Sequence, residues 1–262
     1  MGIHRGVITI VLGAVLWLPS FACRGNAPSP RGSAVSPSAS PSAPALQDTP
    51  ATAARRSSLV SSIAFHVRLS PRVEQALLTV PRHVFVPPEY QGEAYSDEPL
   101  PIGEGQTISQ PTVVAMMTQA LDLQGNETVL EVGTGSGYQA AILSRLCKRV
   151  ETVELLPSLA HRAQSALRAI GYDNVTVYVG DGYEGLPPLA PFDAIVITAA
   201  PPEIPEKLVR QLRDGGRMVV PVGPRDDEQH LLLLHKVGTE VRRTDLGAVR
   251  FVPMVRGRRV PD

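Results

Sequence analysis

A glycine-rich segment in the middle of the chain has the residue types that could hold a nucleotide. It reads Glu131-Val-Gly133-Thr-Gly135-Ser-Gly137. Glycines permit a tight turn and a close approach of the backbone to a ligand. The spacing is Gly-x-Gly-x-Gly, whereas dinucleotide sites typically have Gly-x-Gly-x-x-Gly. The acidic Glu131 would repel a bound pyrophosphate and attract a cationic ligand.

These two features favour S-adenosylmethionine, which carries a sulfonium and an ammonium group and no phosphate. On this interpretation the segment contributes six cofactor-contacting residues, namely Glu131, Gly133, Thr134, Gly135, Ser136 and Gly137. The competing interpretation is a nicotinamide-dependent oxidoreductase, which shares the fold class and differs in the charge of its cofactor.

Two further acidic residues follow predicted strands and could bind the nucleoside part of such a cofactor. Glu154 ends the second predicted strand, where a carboxylate can accept two hydrogen bonds from a ribose diol. Asp181 could reach an adenine amino group, and the backbone at Gly182 would pass close to the ring. The alternatives are a solvent-exposed strand end for Glu154 and an ordinary turn for Asp181.

The elements that must position these residues alternate between strands and helices after residue 126. The predicted strands are 128–133, 150–154, 175–179, 194–198 and 217–220, with two more candidates at 231–237 and 248–252. The predicted helices are 72–80, 138–147, 158–170 and 204–212. This alternation predicts an α/β fold with a doubly wound, mostly parallel, seven-stranded sheet. In such a sheet ligands bind beyond the carboxyl ends of the strands.

The first 56 residues differ in composition from the rest of the chain. An uncharged run at 6–21 follows His4 and Arg5. It is shorter than the about 20 residues of a membrane span and fits a secretory signal. We therefore predict a signal-like segment at 1–23. The small residues Ser20 and Ala22 before Cys23 also suggest lipid attachment at this cysteine. The alternatives are an uncleaved hydrophobic anchor and a misassigned start codon.

Residues 24–56 are rich in Ser, Pro and Ala, and we predict that they form a disordered linker. The catalytic domain is predicted at 57–262. Lys plus Arg and Asp plus Glu each number 25, and this neutral balance argues against a nucleic-acid partner. The only other cysteine, Cys147, is predicted to lie in the core, and the cysteine and histidine spacing predicts no metal site.

Five segments, in the same order, resemble the protein-L-isoaspartate O-methyltransferases. They read VPRHVFV at 80–86, LPIGEGQTISQP at 100–111, VLEVGTGSGYQAAIL at 129–143, FDAIVITAAPPEIP at 192–205 and VRFVP at 249–253. The resemblance covers about residues 61–260. It implies a class I, Rossmann-like methyltransferase fold with S-adenosyl-L-methionine as cofactor, S-adenosyl-L-homocysteine as product and no metal.

The resemblance also implies the reaction. A methyl group passes to the free α-carboxylate of isoaspartyl residues in damaged proteins, and the ester cyclises to a succinimide that hydrolyses partly to aspartate. Ser109 is implied as the catalytic residue, with Thr107 and Ile108 beside the cofactor. The alternative for Ser109 is a cap of the following helix. A small-molecule methyltransferase and an inactive envelope protein are the remaining alternatives.

The segment 249–253 is expected to close over the substrate, with Val249 and Arg250 as substrate contacts. A solvated strand charge is the alternative for Arg250. The expected partners are isoaspartyl proteins and peptides, and a membrane through an N-terminal tether, but no nucleic acid. The expected state is a monomer. The N-terminal segment predicts export to the cell envelope, whereas members of this family are usually cytoplasmic.

Overall fold

The computed structural model describes residues 48–224 and 227–257. A seven-stranded sheet forms its centre, and its strands are β3 (Thr128–Val132), β4 (Arg149–Glu154), β5 (Val175–Val179), β6 (Phe192–Ile197), β7 (Leu212–Val222), β8 (Gln229–Val237) and β9 (Glu240–Val249). Their order across the sheet is β5-β4-β3-β6-β7-β8-β9. The first five in this order are parallel, and β8 and β9 are antiparallel to their neighbours. The predicted mostly parallel α/β sheet is confirmed.

The connections place a topological switch point at the middle of the sheet. The chain runs from β3 outward through β4 to β5, and then returns to form β6 on the other side of β3. Loops at the carboxyl ends of β3 and β6 therefore diverge to opposite sides and leave a crevice for a ligand.

Within the described residues, six α-helices accompany the sheet and bury both of its faces. They are α1 (Pro50–His66), α2 (Pro71–Thr79), α3 (Pro111–Leu121), α4 (Tyr138–Ser144), α5 (Pro157–Ala169) and α6 (Glu206–Gln211). Residues of α1 to α5 share one hydrophobic core with Val129 and Val150 of the sheet. Leu208 of α6 packs in a second core with Leu130 and Ile195. Because parallel strands are covered on both faces, β3 and β4 are almost wholly buried.

The predicted linker is wrong at its carboxyl end, because residues 50–56 belong to α1. Thr49 forms a capping box with Thr52 at the start of this helix. Arg56 is buried and binds the Asp48 carboxylate through both terminal nitrogens, at 3.0 and 2.7 Å. Its Nε also donates to the Leu78 carbonyl at 2.6 Å. Residues 1–47, with the predicted signal segment and Cys23, lie outside the described residues.

The last predicted strand, 248–252, is also misplaced. The chain turns at Gly238, where φ is +61°, and β9 then pairs with β8 from Glu240 to Val249. Beyond Val249 the backbone leaves the sheet, because the Gln229 side chain occupies both backbone hydrogen-bonding groups of Phe251. Strand β7 begins at Leu212, five residues before the predicted start, so α6 ends earlier than the sequence suggests.

A small hairpin lies before α3 and reaches over the carboxyl ends of the parallel strands. It consists of β1 (Leu100–Gly103) and β2 (Gln106–Ile108). Its turn is held against α5, where Arg162 donates to the Ile102 carbonyl at 2.6 Å and the Ser158 hydroxyl donates to Glu104 at 2.9 Å. Within the described residues, no helix has both the length and the apolar character that crossing a membrane requires.

Candidate active site

A cavity of about 240 Å³ lies at the carboxyl ends of the parallel strands. The hairpin β1–β2 with Ser109 forms one wall, and the glycine segment with Val153–Leu156 forms another. Residues 252–255 close the side near β6. The cavity therefore occupies the crevice that the switch point predicts.

The glycine segment turns tightly, and its glycine N–H groups are already paired within the protein. Gly133, Gly135 and Gly137 have φ values of +98°, +52° and +91°. Their N–H groups donate to the Val153 carbonyl, the Glu154 carboxylate and the Thr134 carbonyl, each at 2.8 Å. A phosphate-binding loop instead directs free N–H groups at the phosphate. The arrangement does not favour a dinucleotide.

Glu154 is placed as the sequence predicts, at the end of β4 and on the cavity wall. Its Oε2 accepts the Gly135 N–H at 2.8 Å, and its Oε1 accepts the Leu156 N–H at 3.0 Å. Each carboxylate oxygen has a further lone pair, so the group can still accept hydrogen bonds from a diol. The same side chain also fixes the position of the glycine segment.

Glu131 lies behind the cavity wall and does not line it. The Thr152 hydroxyl donates to its Oε2 at 2.5 Å, and the Thr134 hydroxyl lies 2.7 Å from that of Thr152. Complete burial raises the pKa of Glu131 to about 8, to which the charge of Glu154 contributes, although the bond from Thr152 opposes the shift. Because Thr134 lines the cavity, Glu131 reaches it only through two hydroxyl groups.

Two other predicted contact residues also lie off the cavity wall. The backbone of Gly137 packs against α5, where an added Cβ would lie 3.3 Å from Ala163. Asp181 accepts the N–H groups of Tyr183 and Gly257, at 2.8 and 3.1 Å. Gly182 does line the cavity, as predicted, and an added Cβ there would lie 2.6 Å from Val132. Thr107, Ile108, Gly133, Thr134, Gly135 and Ser136 also line it.

Ser109 lies where the large cavity meets a second, smaller one of about 40 Å³. Among the described residues, none forms a hydrogen bond with its hydroxyl. The alternative role as a helix cap is wrong, because the N-cap of α3 is Gln110. The N–H of Thr112 is instead capped by Asp97, at 2.8 Å. The Ser109 hydroxyl therefore remains available to a ligand.

The segment after β9 forms the remaining wall of both cavities. The Gln229 amide accepts from the Phe251 N–H at 2.6 Å and donates to the Phe251 carbonyl at 3.2 Å. The Met254 N–H and the Val252 carbonyl pair with Ala200, each at 2.8 Å. Of the predicted substrate contacts in this segment, Arg250 lines the smaller cavity, whereas Val249 is buried at the end of β9 and lines neither.

The two cavities differ in charge. Among the described residues that line the large cavity there is no Lys, Arg or His, and two are carboxylates, Glu104 and Glu154. The smaller cavity has Arg250 on its wall. No three His, Cys, Asp or Glu side chains within the described ranges are placed to hold a metal ion. The charges thus favour a cationic ligand in the large cavity and an anionic ligand in the smaller one.

Comparison with known proteins decides the family. The family model for protein-L-isoaspartate(D-aspartate) O-methyltransferase matches residues 54–259. The chain belongs to this family. The protein-L-isoaspartate O-methyltransferase from Dictyoglomus thermophilum is 51% identical over 207 residues, which cover 79% of this chain and 94% of that relative. The enzyme from Myxococcus xanthus is 53% identical over 186 residues, which cover 70% of this chain and 88% of the relative.

Solved structures agree with the family. One protein-L-isoaspartate O-methyltransferase superposes with a TM-score of 0.70 at 30% identity and covers 76% of this chain, which spans 65% of that longer chain. A protein from Plasmodium falciparum, solved in complex with S-adenosyl-L-homocysteine, superposes with a TM-score of 0.67 and covers 76% of this chain and 98% of its own. At 23% identity, this second likeness shows the shared fold alone.

Arg82, which is not among the predicted site residues, supports the backbone at Ser109 in this isoaspartyl methyltransferase site. Arg82 is fully buried and donates to the Ser109 carbonyl at 2.9 Å and to the Glu98 carbonyl at 3.1 Å. Its guanidinium lies 5.1 Å from the centre of the Tyr138 ring. Burial lowers the pKa of Arg82 to about 10. The sequence could have indicated this role, because Arg82 lies within the apolar run VPRHVFV. An arginine buried in such a run requires hydrogen-bonding or charged partners.

The buried carboxyl of Glu131 makes the stability of this methyltransferase depend on pH. Its pKa is raised from 4.5 to about 8 on folding, so between these values the folded protein holds a proton that the unfolded chain has released. Its contribution to stability is therefore complete below pH 4.5 and is lost as pH rises toward about 8. Because glutamine does not ionise, the Glu131→Gln variant lacks this loss of stability with rising pH.

We expect the free energy of unfolding of the wild type to fall, relative to Glu131→Gln, by up to about 1.4 kcal/mol per pH unit across this range. Urea unfolding of both proteins at pH 5, 6, 7 and 8 measures the difference. A difference that stays constant with pH would contradict the raised pKa.

Proposed function

We propose that this chain transfers a methyl group from S-adenosylmethionine to the free α-carboxylate of isoaspartyl residues in proteins and peptides. The observation that carries the proposal is the junction of two cavities of unlike charge. The acidic, lysine- and arginine-free wall of the large cavity suits a cationic nucleotide, and Arg250 of the small cavity suits a carboxylate. Membership of the family supplies the reaction.

The cofactor fits the residues of the large cavity. Glu154 offers acceptor lone pairs to the ribose hydroxyls. The backbone at Gly182 allows close approach of the adenine ring, because this residue has no side chain. When bound, S-adenosylmethionine supplies a methyl group on a positively charged sulfur.

The acceptor needs orientation and does not need a general base. A free α-carboxyl group has a pKa of roughly 3.5 and is ionised at neutral pH. The Ser109 hydroxyl donates a hydrogen bond to one carboxylate oxygen, and the other oxygen faces the methyl group. Reaction requires a separation of about 3 to 3.5 Å and alignment with the bond to be broken. The apolar side chains of Val113 and Phe251 limit water in the small cavity.

The product is a methyl ester, and its later chemistry takes place away from these residues. The neighbouring backbone nitrogen attacks the ester and expels methanol, which leaves a succinimide. Hydrolysis of the succinimide returns part of the material to normal aspartate. The enzyme therefore initiates repair by converting the carboxylate into an ester, whose methoxy group is a better leaving group than the oxygen of a free carboxylate.

Arg250 provides a testable contribution to acceptor binding. Because its side chain is solvent-exposed, we expect Arg250→Gln to raise the KM for an isoaspartyl peptide by only about threefold to fivefold at low salt. The kcat should change little, since the residue is not placed at the methyl group. Arg242→Gln on β9, an exposed arginine away from both cavities, is the matched control. An unchanged KM at low salt would remove Arg250 from the acceptor site.

Isotope transfer tests the reaction itself. The full chain is incubated with methyl-labelled S-adenosylmethionine and two peptides that differ only in isoaspartate or aspartate at one position. We expect base-labile label on the isoaspartyl peptide alone. Equal labelling of both peptides, or label that resists base, would exclude an isoaspartyl carboxylate as the acceptor.

We also propose that residues 1–23 direct export to the cell envelope and that the protein acts there as a monomer. The support is the uncharged run at 6–21, with small residues before Cys23. The alternative is the cytoplasm, where the methyl donor is made. Fractionation of cells that express a C-terminally tagged full chain tests this, with Cys23→Ala to separate lipid anchoring from simple secretion. Recovery of the uncleaved protein in the cytosol would contradict export.

A further inference from the structure

The side-chain amide of Gln139 forms a hydrogen bond through its nitrogen, and its oxygen has no hydrogen-bond donor among the described residues. It is the second residue of α4, is 7% exposed and lines the large cavity. Its Nε2 donates to the Thr118 hydroxyl oxygen at 2.9 Å. Its Oε1 is buried and, within residues 48–224 and 227–257, accepts no hydrogen bond.

The hydrogen bonds of Thr118 determine which way this amide points. Thr118 has a single hydroxyl proton, and it donates this proton to the Val114 carbonyl at 2.8 Å. The hydroxyl oxygen can then only accept, so the amide must present its NH₂ group to Thr118. A flipped amide would place two acceptors against each other. Oε1 is therefore the half that lacks a partner, and it belongs to a side chain on the wall of the large cavity.

A buried acceptor without a donor is destabilising, and a ligand in the cavity can supply the missing donor. The order of the strands indicates which part of the cofactor does so. Gly182 follows β5, Glu154 ends β4, and Gln139 follows β3, so these residues lie in sequence across adjacent strands. If adenine lies at Gly182 and ribose at Glu154, the amino-acid end of the cofactor lies toward Gln139.

We propose that Gln139 Oε1 accepts a hydrogen bond from the α-ammonium group of S-adenosylmethionine and of its product, an inference that rests on the proposed function. The ammonium is the strongest donor at that end of the cofactor. No carboxylate side chain lines the cavity on α3 or α4 within the described residues, so the neutral amide oxygen serves this role.

Calorimetry with two ligands tests this contact without any turnover. S-Adenosylhomocysteine has the ammonium, whereas 5′-methylthioadenosine has the same nucleoside and sulfur but no amino-acid group. We expect Gln139→Leu to weaken S-adenosylhomocysteine binding about tenfold, as for a hydrogen bond to a charged group. The affinity for 5′-methylthioadenosine should stay within about twofold.

Gln211→Leu is the matched control, because this glutamine is also buried but both halves of its amide are paired. Its Oε1 accepts from Leu186 at 2.9 Å and its Nε2 donates to the Glu184 carbonyl at 2.8 Å. The control should leave both affinities unchanged. Gln139→Glu keeps an acceptor oxygen and, when protonated on its other oxygen, a donor for the Thr118 hydroxyl oxygen. Measured at pH 6, it should bind S-adenosylhomocysteine better than Gln139→Leu, which keeps the test valid if the leucine variant folds poorly.

The outcomes separate this contact from the proposed function. Equal weakening for both ligands, or no weakening for either, would overturn the ammonium contact while the wild type still binds S-adenosylhomocysteine. A higher KM for the isoaspartyl peptide with unchanged ligand affinities would assign Oε1 to the acceptor and also overturn it. If the wild type binds neither S-adenosylmethionine nor its product, the proposed function fails first, and this contact fails with it.

Discussion

Ser109→Ala should lower kcat/KM for an isoaspartyl peptide by about 10²-fold, because the acceptor carboxylate loses the hydroxyl that orients it. The affinity for S-adenosylhomocysteine should stay within about twofold, since Ser109 lies at the junction of the two cavities and not beside Glu154 or Gly182. The Arg82 side chain donates to the backbone carbonyl of Ser109, so this bond survives the substitution. Steady-state kinetics and calorimetry on the same preparation measure both quantities.

Ser58→Ala provides the control for this substitution. Ser58 is exposed on α1, and its hydroxyl donates only to the Ala54 carbonyl, at 3.1 Å. We expect this variant to keep wild-type kinetics. Full activity of Ser109→Ala would refute the assigned role, whereas a matched loss of cofactor affinity would move Ser109 from the acceptor site to the cofactor site.

Glu154→Gln should weaken S-adenosylhomocysteine binding on the order of 10²-fold. The substitution removes charge-assisted hydrogen bonds to the ribose hydroxyls, which are worth about 1.5 to 3 kcal/mol each. In the wild type the carboxylate accepts hydrogen bonds from the N–H groups of both Gly135 and Leu156. The amide of the variant can accept only one of them, because its NH₂ group must face the other. The glycine segment would therefore lose part of its anchor. Calorimetric titration measures the change in Kd.

Glu127→Gln is the matched control, because Glu127 also accepts two backbone N–H groups but lies away from the cavity. Its two oxygens accept from Gln124 and Gly125, each at 2.8 Å. We expect this variant to lose stability and to keep the wild-type affinity for S-adenosylhomocysteine. If both variants lost the same affinity, the weaker binding of Glu154→Gln would result from reduced protein stability and not from a lost ligand contact.

The sequence predicted those parts of the site that depend on neighbouring residues. The spacing of Gly133, Gly135 and Gly137 predicted a tight turn after a buried strand, and the structure has that turn. Glu154 was predicted at the end of a strand next to that turn, because parallel strands end at one edge of the sheet. Hydrophobic periodicity and turn residues suffice for such predictions, since each predicted feature depends on a few consecutive positions.

The sequence did not reveal the contacts that join distant segments. Arg82 supports Ser109 across 27 residues, Gln229 holds Phe251 across 22, and Gln139 meets Thr118 across 21. Nothing local distinguishes these side chains from surface polar residues. Their partners become apparent only when the sheet brings the segments together.

The errors in the predicted elements have the same origin. The composition of residues 50–56 resembles a linker, yet the distant Leu78 and Tyr95 bind Arg56 and stabilise a helix there. Residues 248–252 have the apolar pattern of a strand, but Gln229 replaces a neighbouring strand as the hydrogen-bonding partner. Glu131 was predicted to meet the ligand, whereas the strand direction buries its side chain behind Thr134 and Thr152.

Calorimetric titration of the full chain with S-adenosylmethionine and, separately, with NAD tests the central claim, which is that the acidic cavity selects a cationic nucleotide. The paired glycine N–H groups and the two wall carboxylates predict saturable binding of S-adenosylmethionine, competition by S-adenosylhomocysteine and no detectable binding of NAD. Tight binding of NAD with none of S-adenosylmethionine would contradict the assignment of the site.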